Sequence, residues 1–231
     1  MVGTLSAISS MATRGVLAAL AQAYRQRSGW QITIESVGGV DAAKRVAAGE
    51  AFDAVILASD ALDKLIHAGH VRAGSRLDLV RSPVAMAVRA GAPHPDVSSE
   101  AALRLAVLGA RTLGHSTGPS GAHLAALFAR WGIAEALRER IVVPPPGVPV
   151  GRLVADGTVE LGFQQLSELM HLDGIEQLGL LPPGTEFVTT FSGGVASVSA
   201  QAAATQAMLA FMASSEADPA RPGHGMAPAR D

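Results

Sequence analysis

Three strand-turn-helix units follow one another within about the first 70 residues, and no other feature restricts the fold as much. Residues 2–8 form an apolar run of strand length. Ser9-Ser10 interrupts it, and from Met11 the positions Val16, Leu17, Leu20, Ala23 and Tyr24 repeat at helical spacing until Gly29 stops them. Residues 30–37 alternate as a strand, Gly38-Gly39 turns, and residues 40–48 are helical. Residues 52–57 give a third strand, Ala58-Ser59-Asp60 a turn, and residues 61–68 a helix closed by Gly69. Strands joined by helices pair in parallel, and ligands of such sheets lie beyond the carboxyl ends of the strands. A strand running into a helix also leaves backbone N–H groups without partners at the positive end of the helix dipole. Ser9 and Ser10 add hydroxyls there, which suits an anion, although one of them can serve simply as an N-cap.

The pattern changes at Arg81-Ser82, which separates apolar runs at 77–80 and 83–88, with Pro83 marking an edge or a bend. A second series follows: a helix over 98–108, extended chain over 111–115, a turn at Ser116-Thr117-Gly118-Pro119-Ser120-Gly121, and a helix over 123–131. Residues 138–146 read as a strand, 148–156 as a short helix, 159–163 as a strand, Gln164-Gln165 as a turn and 166–170 as a helix start. Residues 174–181 and 185–199 are strand-rich, broken at Phe191-Ser192-Gly193-Gly194, and 202–214 is the last helix. The tail over 216–231, rich in proline, glycine and alanine, is expected to be loosely held.

Composition removes several classes of function. A formal net charge of -2 without a basic run gives no footprint for nucleic acid or an anionic membrane. The absence of cysteine rules out disulfides, thiolate metal sites and cysteine nucleophiles. Hydrophobic residues make up 48% of the 231, but alanine supplies many, and no run of about 18 apolar residues suggests membrane insertion. The first residues lack a basic region followed by an apolar region and a cleavage site, because the first strand begins almost at Met1; the chain is expected in the cytoplasm if residue 1 is the native start, or in the periplasm if a leader was removed. His67 and His70 have no third ligand nearby, so no metal is expected, and the glycine-rich turns lack the lysine of a P-loop and the full dinucleotide fingerprint.

Four segments carry a resemblance: Ile8-Ser9-Ser10-Met11, Phe52-Asp53-Ala54-Val55-Ile56-Leu57-Ala58-Ser59, Gly118-Pro119-Ser120-Gly121, and Ala210-Phe211-Met212-Ala213-Ser214 with Gly225-Met226-Ala227-Pro228. In order and spacing the chain resembles the molybdate-binding class of type II periplasmic binding proteins. The resemblance implies a two-lobed α/β fold, one lobe from 1–80 with 194–231 and the other from 82–192. Two crossovers near 81–83 and 191–194 would join them, with the ligand cleft between. Ser10 then matches an oxyanion-binding serine, Ser120 the small residue whose N–H reaches the ligand, and Gly147 or Val148 lies near another donor. Two positions depart from the pattern: Gly39-Val40-Asp41 stands where a second serine is usual, and Gln165 where a tyrosine is common. A carboxylate at Asp41 facing a dianion costs several kcal/mol, which argues against molybdate, whereas at a helix start it simply favours the dipole. Arg81 can clamp a carboxylate in bidentate fashion, or pair on the surface with Asp78.

Two functions follow. The first is a binding protein for an oxyanion or an organic di- or tricarboxylate, held by Ser9, Ser10, Gly39, Val40, Ser59, Ser120, Val148 and Gln165 with Arg81 as charge partner. It needs no cofactor and, if exported, would serve an ABC transporter permease. The second is a cofactor-free isomerase of the aconitate type, an activity found among relatives of this class, which moves a double bond by proton abstraction and return. Asp41, His115 and Glu168 are the titratable residues near strand ends, with His115 and Asp41 the acid-base candidates. A histidine in the position of His115 also commonly serves as a hydrogen-bonded structural residue.

Overall fold

The pairing of β1 (Thr4–Ser10) shows why the first strand outruns its apolar stretch. Parallel registers Ser9↔Ser36 and Ser10↔Val37 carry both serines into the ladder, so the backbone bonds of the sheet override the polar side chains. In this computed structural model, which describes residues 3–230, a short 3-10 turn (Met11–Thr13) then leads into α1 (Arg14–Ser28). Gly29 ends α1 with a left-handed φ of 77°, and its N–H bonds to the Arg25 carbonyl. The series continues with β2 (Gln31–Val37), α2 (Gly39–Ala47), β3 (Ala54–Ala58), α3 (Ser59–His67) and β4 (Leu77–Arg89). Helix α3 begins directly at Ser59, leaving no room for the expected turn.

The middle of the chain supplies α4 (Glu100–Gly109), β5 (Leu113–His115), α5 (Pro119–Arg130), α6 (Ala134–Leu137), β6 (Ile141–Val142), α7 (Val150–Ala155), β7 (Leu161–Gln165), α8 (Leu166–Leu169) and β8 (Ile175–Leu180). It then returns through β9 (Val188–Val195) to α9 (Ala202–Ala213) and a two-residue β10 (Ala227–Pro228). Helix α5 starts four residues earlier than the apolar period suggests, because Pro119 suits the first turn of a helix. The strand expected over 138–146 shrinks to β6, since Arg138–Arg140 is a 3-10 turn and Pro144-Pro145-Pro146 offers no N–H groups to a ladder.

The chain divides into two compact units, Met1–Ser82 with Thr190–Asp231, and Pro83–Thr189; it passes between them within β4 and within β9. Strand β4 is continuous through Pro83, and the missing proline N–H falls where the strand leaves one unit for the other. In unit 1, β1 pairs in parallel with β2 and β3, and β9 joins β3 antiparallel. In unit 2, β5 pairs in parallel with β6 and β7, while β4 runs antiparallel to β7 and β8. Each unit has its own core, one around Leu5, Leu17, Leu20, Ile56 and Leu209, the other around Met86, Leu103, Leu113, Phe128 and Phe163. Burying one such side chain contributes about 1.5–3 kcal/mol.

Glycine serves packing rather than interruption in β9, which runs unbroken through the expected break at 191–194. A Cβ on Gly193 would lie 2.5 Å from Leu209 Cδ2, and one on Gly194 2.6 Å from Val71 Cγ1. Asp53 fastens the start of β3 to β1: Oδ2 accepts from the Ser6 N–H at 2.9 Å and the Ser6 hydroxyl at 3.1 Å, and Oδ1 accepts from Ser199 at 2.6 Å. The tail is ordered where loose chain was expected. Arg221, almost fully buried, and Arg230 donate to carbonyls at the C-terminus of α9, both also pair with Asp218, and β10 pairs with β4. Cations there meet the negative end of the helix dipole and its unpaired carbonyls. Among the described residues no helix is long and apolar enough to cross a membrane.

Candidate functional site

The strand-to-helix junctions of each unit hold most of the candidate residues. In unit 1, Ser9 is fully buried with its hydroxyl 2.8 Å from that of Ser36. Ser10 is half-buried, its carbonyl is taken by the Thr13 hydroxyl at 2.8 Å, and its own hydroxyl makes no hydrogen bond among the described residues. The position a Cβ would take on Gly39 is 3.6 Å from Ser10 Oγ, so the hydroxyl faces the first residue of α2. Ser10 and Gly39 therefore meet as a hydroxyl beside a helix start whose first N–H groups have no side-chain cap. Val40 is 43% exposed, and Asp41 sits half-buried in the same first turn.

Ser59 and Arg81 have other work in unit 1. The Ser192 hydroxyl donates to Asp78 at 2.6 Å, which makes Ser59 the donor in the 2.6 Å Ser59–Ser192 contact, with Thr190 O a second acceptor at 3.1 Å. The single proton of Ser59 is thus committed inside the protein, and an anion finds no hydroxyl donor there. The Arg81 guanidinium donates to the carbonyls of Pro228 at 3.2 Å and Arg230 at 3.3 Å, while Asp78 pairs with Arg76 at 3.0 Å. A surface hollow of about 600 Å³ in this unit lies between α1 and β2, flanked by Arg14 and Arg25; it reaches Ser36 but is lined by neither Ser59 nor Arg81.

In unit 2, β5 ends at His115, whose ring Nδ1 is 3.0 Å from the Ser116 carbonyl. A carbonyl only accepts, so Nδ1 carries the proton and the neutral ring keeps its lone pair on Nε2. Gly121 allows this loop to fold back on α5: a Cβ there would lie 1.7 Å from Ser116 O and 2.8 Å from His115 Nδ1. Ser120 is buried with its hydroxyl 3.2 Å from that of Ser116, which also accepts from the Gly118 N–H at 3.3 Å. The Val148 N–H closes a turn onto Pro145 O at 3.1 Å, so it is not a free donor.

Gln164 and Gln165 are the last residues of β7, both buried, and not the turn that their polarity suggested. Their amides find partners that ordinary loop residues would not. Gln165 Nε2 donates to Thr189 Oγ1 at 2.6 Å, and Gln165 Oε1 is buried without a partner. Because the threonine hydroxyl can give or take a hydrogen bond, this amide can present either its oxygen or its NH2 to a ligand. Gln164 Oε1 accepts from the Gly151 N–H at 3.3 Å, which turns its NH2 to Glu168 Oε1 at 2.8 Å. Burial pushes the Glu168 carboxyl up to about 7, the Gln164 hydrogen bond pulling more weakly the other way. Gln164, Ser36 and Thr189 were not recognisable as site residues from sequence; the one signal was a pair of amides ending an apolar strand.

Comparison with known proteins adds the relationship. Residues 5–227 match the family of bacterial extracellular solute-binding proteins. The chain is 37% identical to an aconitate isomerase from a Pseudomonas species, covering 98% of this chain and 88% of that protein. Among solved structures it is similar to the periplasmic molybdate-binding protein of Azotobacter vinelandii, with a TM-score of 0.78 and 19% identity over 96% of this chain and 98% of the other. It is likewise similar to the sulfate-binding protein SubI of Mycobacterium tuberculosis H37Rv, with a TM-score of 0.78 and 18% identity over 98% of this chain and 87% of the other. At such identities the structures establish the fold, that of periplasmic binding proteins. By sequence match over nearly its whole length, the chain belongs to the family of bacterial extracellular solute-binding proteins.

Proposed function

We propose that this chain binds a small organic di- or tricarboxylate anion through donors at its strand-to-helix junctions. The observation that carries the reading is Ser10: a half-buried hydroxyl with no protein partner among the described residues, beside the uncapped start of α2. Hydroxyl and backbone donors neutralise an anion without a fixed countercharge, as charge-assisted hydrogen bonds do elsewhere. In unit 2, Ser120 and the Gln165 amide, whose oxygen is buried without a partner, are the candidate ligand groups. The likeness to an aconitate isomerase favours a carboxylate ligand over molybdate or sulfate. A permease of the ABC transporter type is the partner that this binding reading would require in an exported protein.

A second reading rests on that same relative: the chain converts one aconitate isomer into the other. Binding and turnover are separable by experiment. Thermal unfolding is followed with molybdate, sulfate, citrate, cis-aconitate and trans-aconitate. A ligand at about 100 times its dissociation constant adds about 2.7 kcal/mol, which raises the midpoint by roughly 5 to 10 °C. A shift with a tricarboxylate supports the binding reading, and one with molybdate or sulfate alone overturns it. Proton NMR of trans-aconitate incubated with the protein in deuterated water then reads isomerisation directly.

A further inference from the structure

We infer that Glu168 is the residue that takes and returns the proton when the double bond of an unsaturated tricarboxylate is moved, with Gln164 as its positioning residue. The inference rests on the isomerase reading above and deepens it. Three carboxyl or imidazole groups lie near strand ends, and their surroundings differ. Asp41 stands half-buried in the first turn of α2, its Oδ2 turned back toward Gly38. The His115 ring is tied by Nδ1 to the carbonyl of its own loop, against the backbone of Gly121. Glu168 follows the end of β7 by three residues and makes no ion pair among the described residues. The buried carboxylate of Asp53, by contrast, is tied by three donors.

The geometry also selects the oxygen. Gly151 fixes Gln164 so that its NH2 faces Glu168, and Oε1 is therefore an acceptor in both protonation states of the carboxyl. The proton belongs on Oε2. Burial, opposed more weakly by the Gln164 amide, governs its basicity. That leaves it poised to accept and release a proton near neutral pH.

The step balances without any redox partner. Oε2 removes a proton from the saturated carbon next to the double bond, breaking that C–H bond. Its electron pair forms the new C=C, while the electrons of the old one spread onto the conjugated carboxylate as a dienolate. Oε2 then delivers the proton to the far carbon of the three-carbon system, forming the new C–H bond and leaving Glu168 ionised.

The test uses the full chain with trans-aconitate in deuterated and ordinary water. Glu168→Gln keeps the side-chain length and the oxygen that Gln164 bonds, and removes only the proton carrier. Its turnover and its deuterium incorporation are expected to fall together by at least about 100-fold, with the ligand-induced thermal shift retained. Glu168→Asp, which keeps a carboxyl one methylene short, serves if the glutamine variant does not fold, and is expected to lose about 10-fold or more in kcat with KM little changed. Gln164→Leu removes a donor to the ionised form, so the acid limb of kcat/KM is expected to move to higher pH. Turnover by Glu168→Gln within 10-fold of the parent overturns the assignment. So does a parent protein that binds tricarboxylates but neither isomerises them nor exchanges their protons, an outcome that leaves the binding reading standing. If no tricarboxylate shifts the parent's midpoint, the binding reading falls as well.

Discussion

Replacing Glu168 by glutamine should make the protein more stable at alkaline pH and leave it nearly unchanged in acid. A carboxyl whose folded pKa lies above its unfolded value binds its proton more tightly in the folded state. Its contribution is therefore fully present below the unfolded pKa of 4.5 and is lost as pH rises through about 7. One pKa unit corresponds to about 1.4 kcal/mol, so the loss is about 3 kcal/mol at most, reduced because water reaches part of this half-buried side chain. Glutamine keeps the hydrogen bond from Gln164 and never ionises. The difference in unfolding free energy between variant and parent, measured by urea denaturation at half-unit steps from pH 4.5 to 8.5, should rise to that plateau and flatten above pH 7 or so. At pH 8 the difference amounts to roughly 6 to 12 °C in melting temperature at most. Glu35, Glu50, Glu100, Glu160 and Glu176 shift the other way, lowered by arginine, tryptophan, histidine or backbone donors, and lose their contribution as pH falls. Common to both proteins, they cancel in the difference. A flat difference across this range would refute the argument that burial governs Glu168.

Gly121→Ala places a Cβ 1.7 Å from the Ser116 carbonyl, a backbone atom that cannot give way without moving the loop; a loss of about 3 kcal/mol or more in calorimetry is expected, and a neutral result would contradict the loop geometry. Asp53→Ala leaves the Ser6 N–H and two hydroxyls unpaired in a buried setting, and urea titration should show a loss of about 2–4 kcal/mol. Ser10→Ala is expected to weaken tricarboxylate binding by about 10-fold or more in calorimetric titration, whereas Ser59→Ala, whose hydroxyl proton is committed to Thr190 and Ser192, should change affinity less than about threefold.

The alternation of strand and helix was readable because apolar spacing records it, and the positive-φ stop at Gly29 was readable because glycine favours that conformation. What misled was polarity at strand ends. Ser9, Ser59 and Gln165 look like turn residues, yet each has a partner far along the chain: Ser36, Ser192 and Thr189. No local window contains those partners, so the window reads a polar residue as exposed. Gly193-Gly194 failed for the related reason that Leu209 and Val71, not a turn, demand the missing side chains. At the site, the serine at position 10 was visible as a hydroxyl before a helix. The Gln164–Glu168 pair was not, because nothing in Gln164-Gln165-Leu166-Ser167-Glu168 shows that Gly151 turns one amide toward the carboxyl.

A carboxyl that holds its proton near neutrality also separates a binder from an enzyme by the pH dependence each would show. In a pure binder, a protonated Glu168 beside a polyanion adds a donor, and its ionisation adds repulsion, so affinity should fall as pH rises through about 7. An enzyme that begins by abstracting a proton needs the ionised form, so turnover should rise over the same interval even as binding weakens. The two curves must then cross in opposite directions about one group. Affinity by titration calorimetry and kcat by NMR, taken on the same protein from pH 5.5 to 8.5, read both. If affinity and turnover rise together, the proton is being carried elsewhere, and His115, whose Nδ1 is tied to the Ser116 carbonyl and whose Nε2 makes no hydrogen bond among the described residues, becomes the group to replace next.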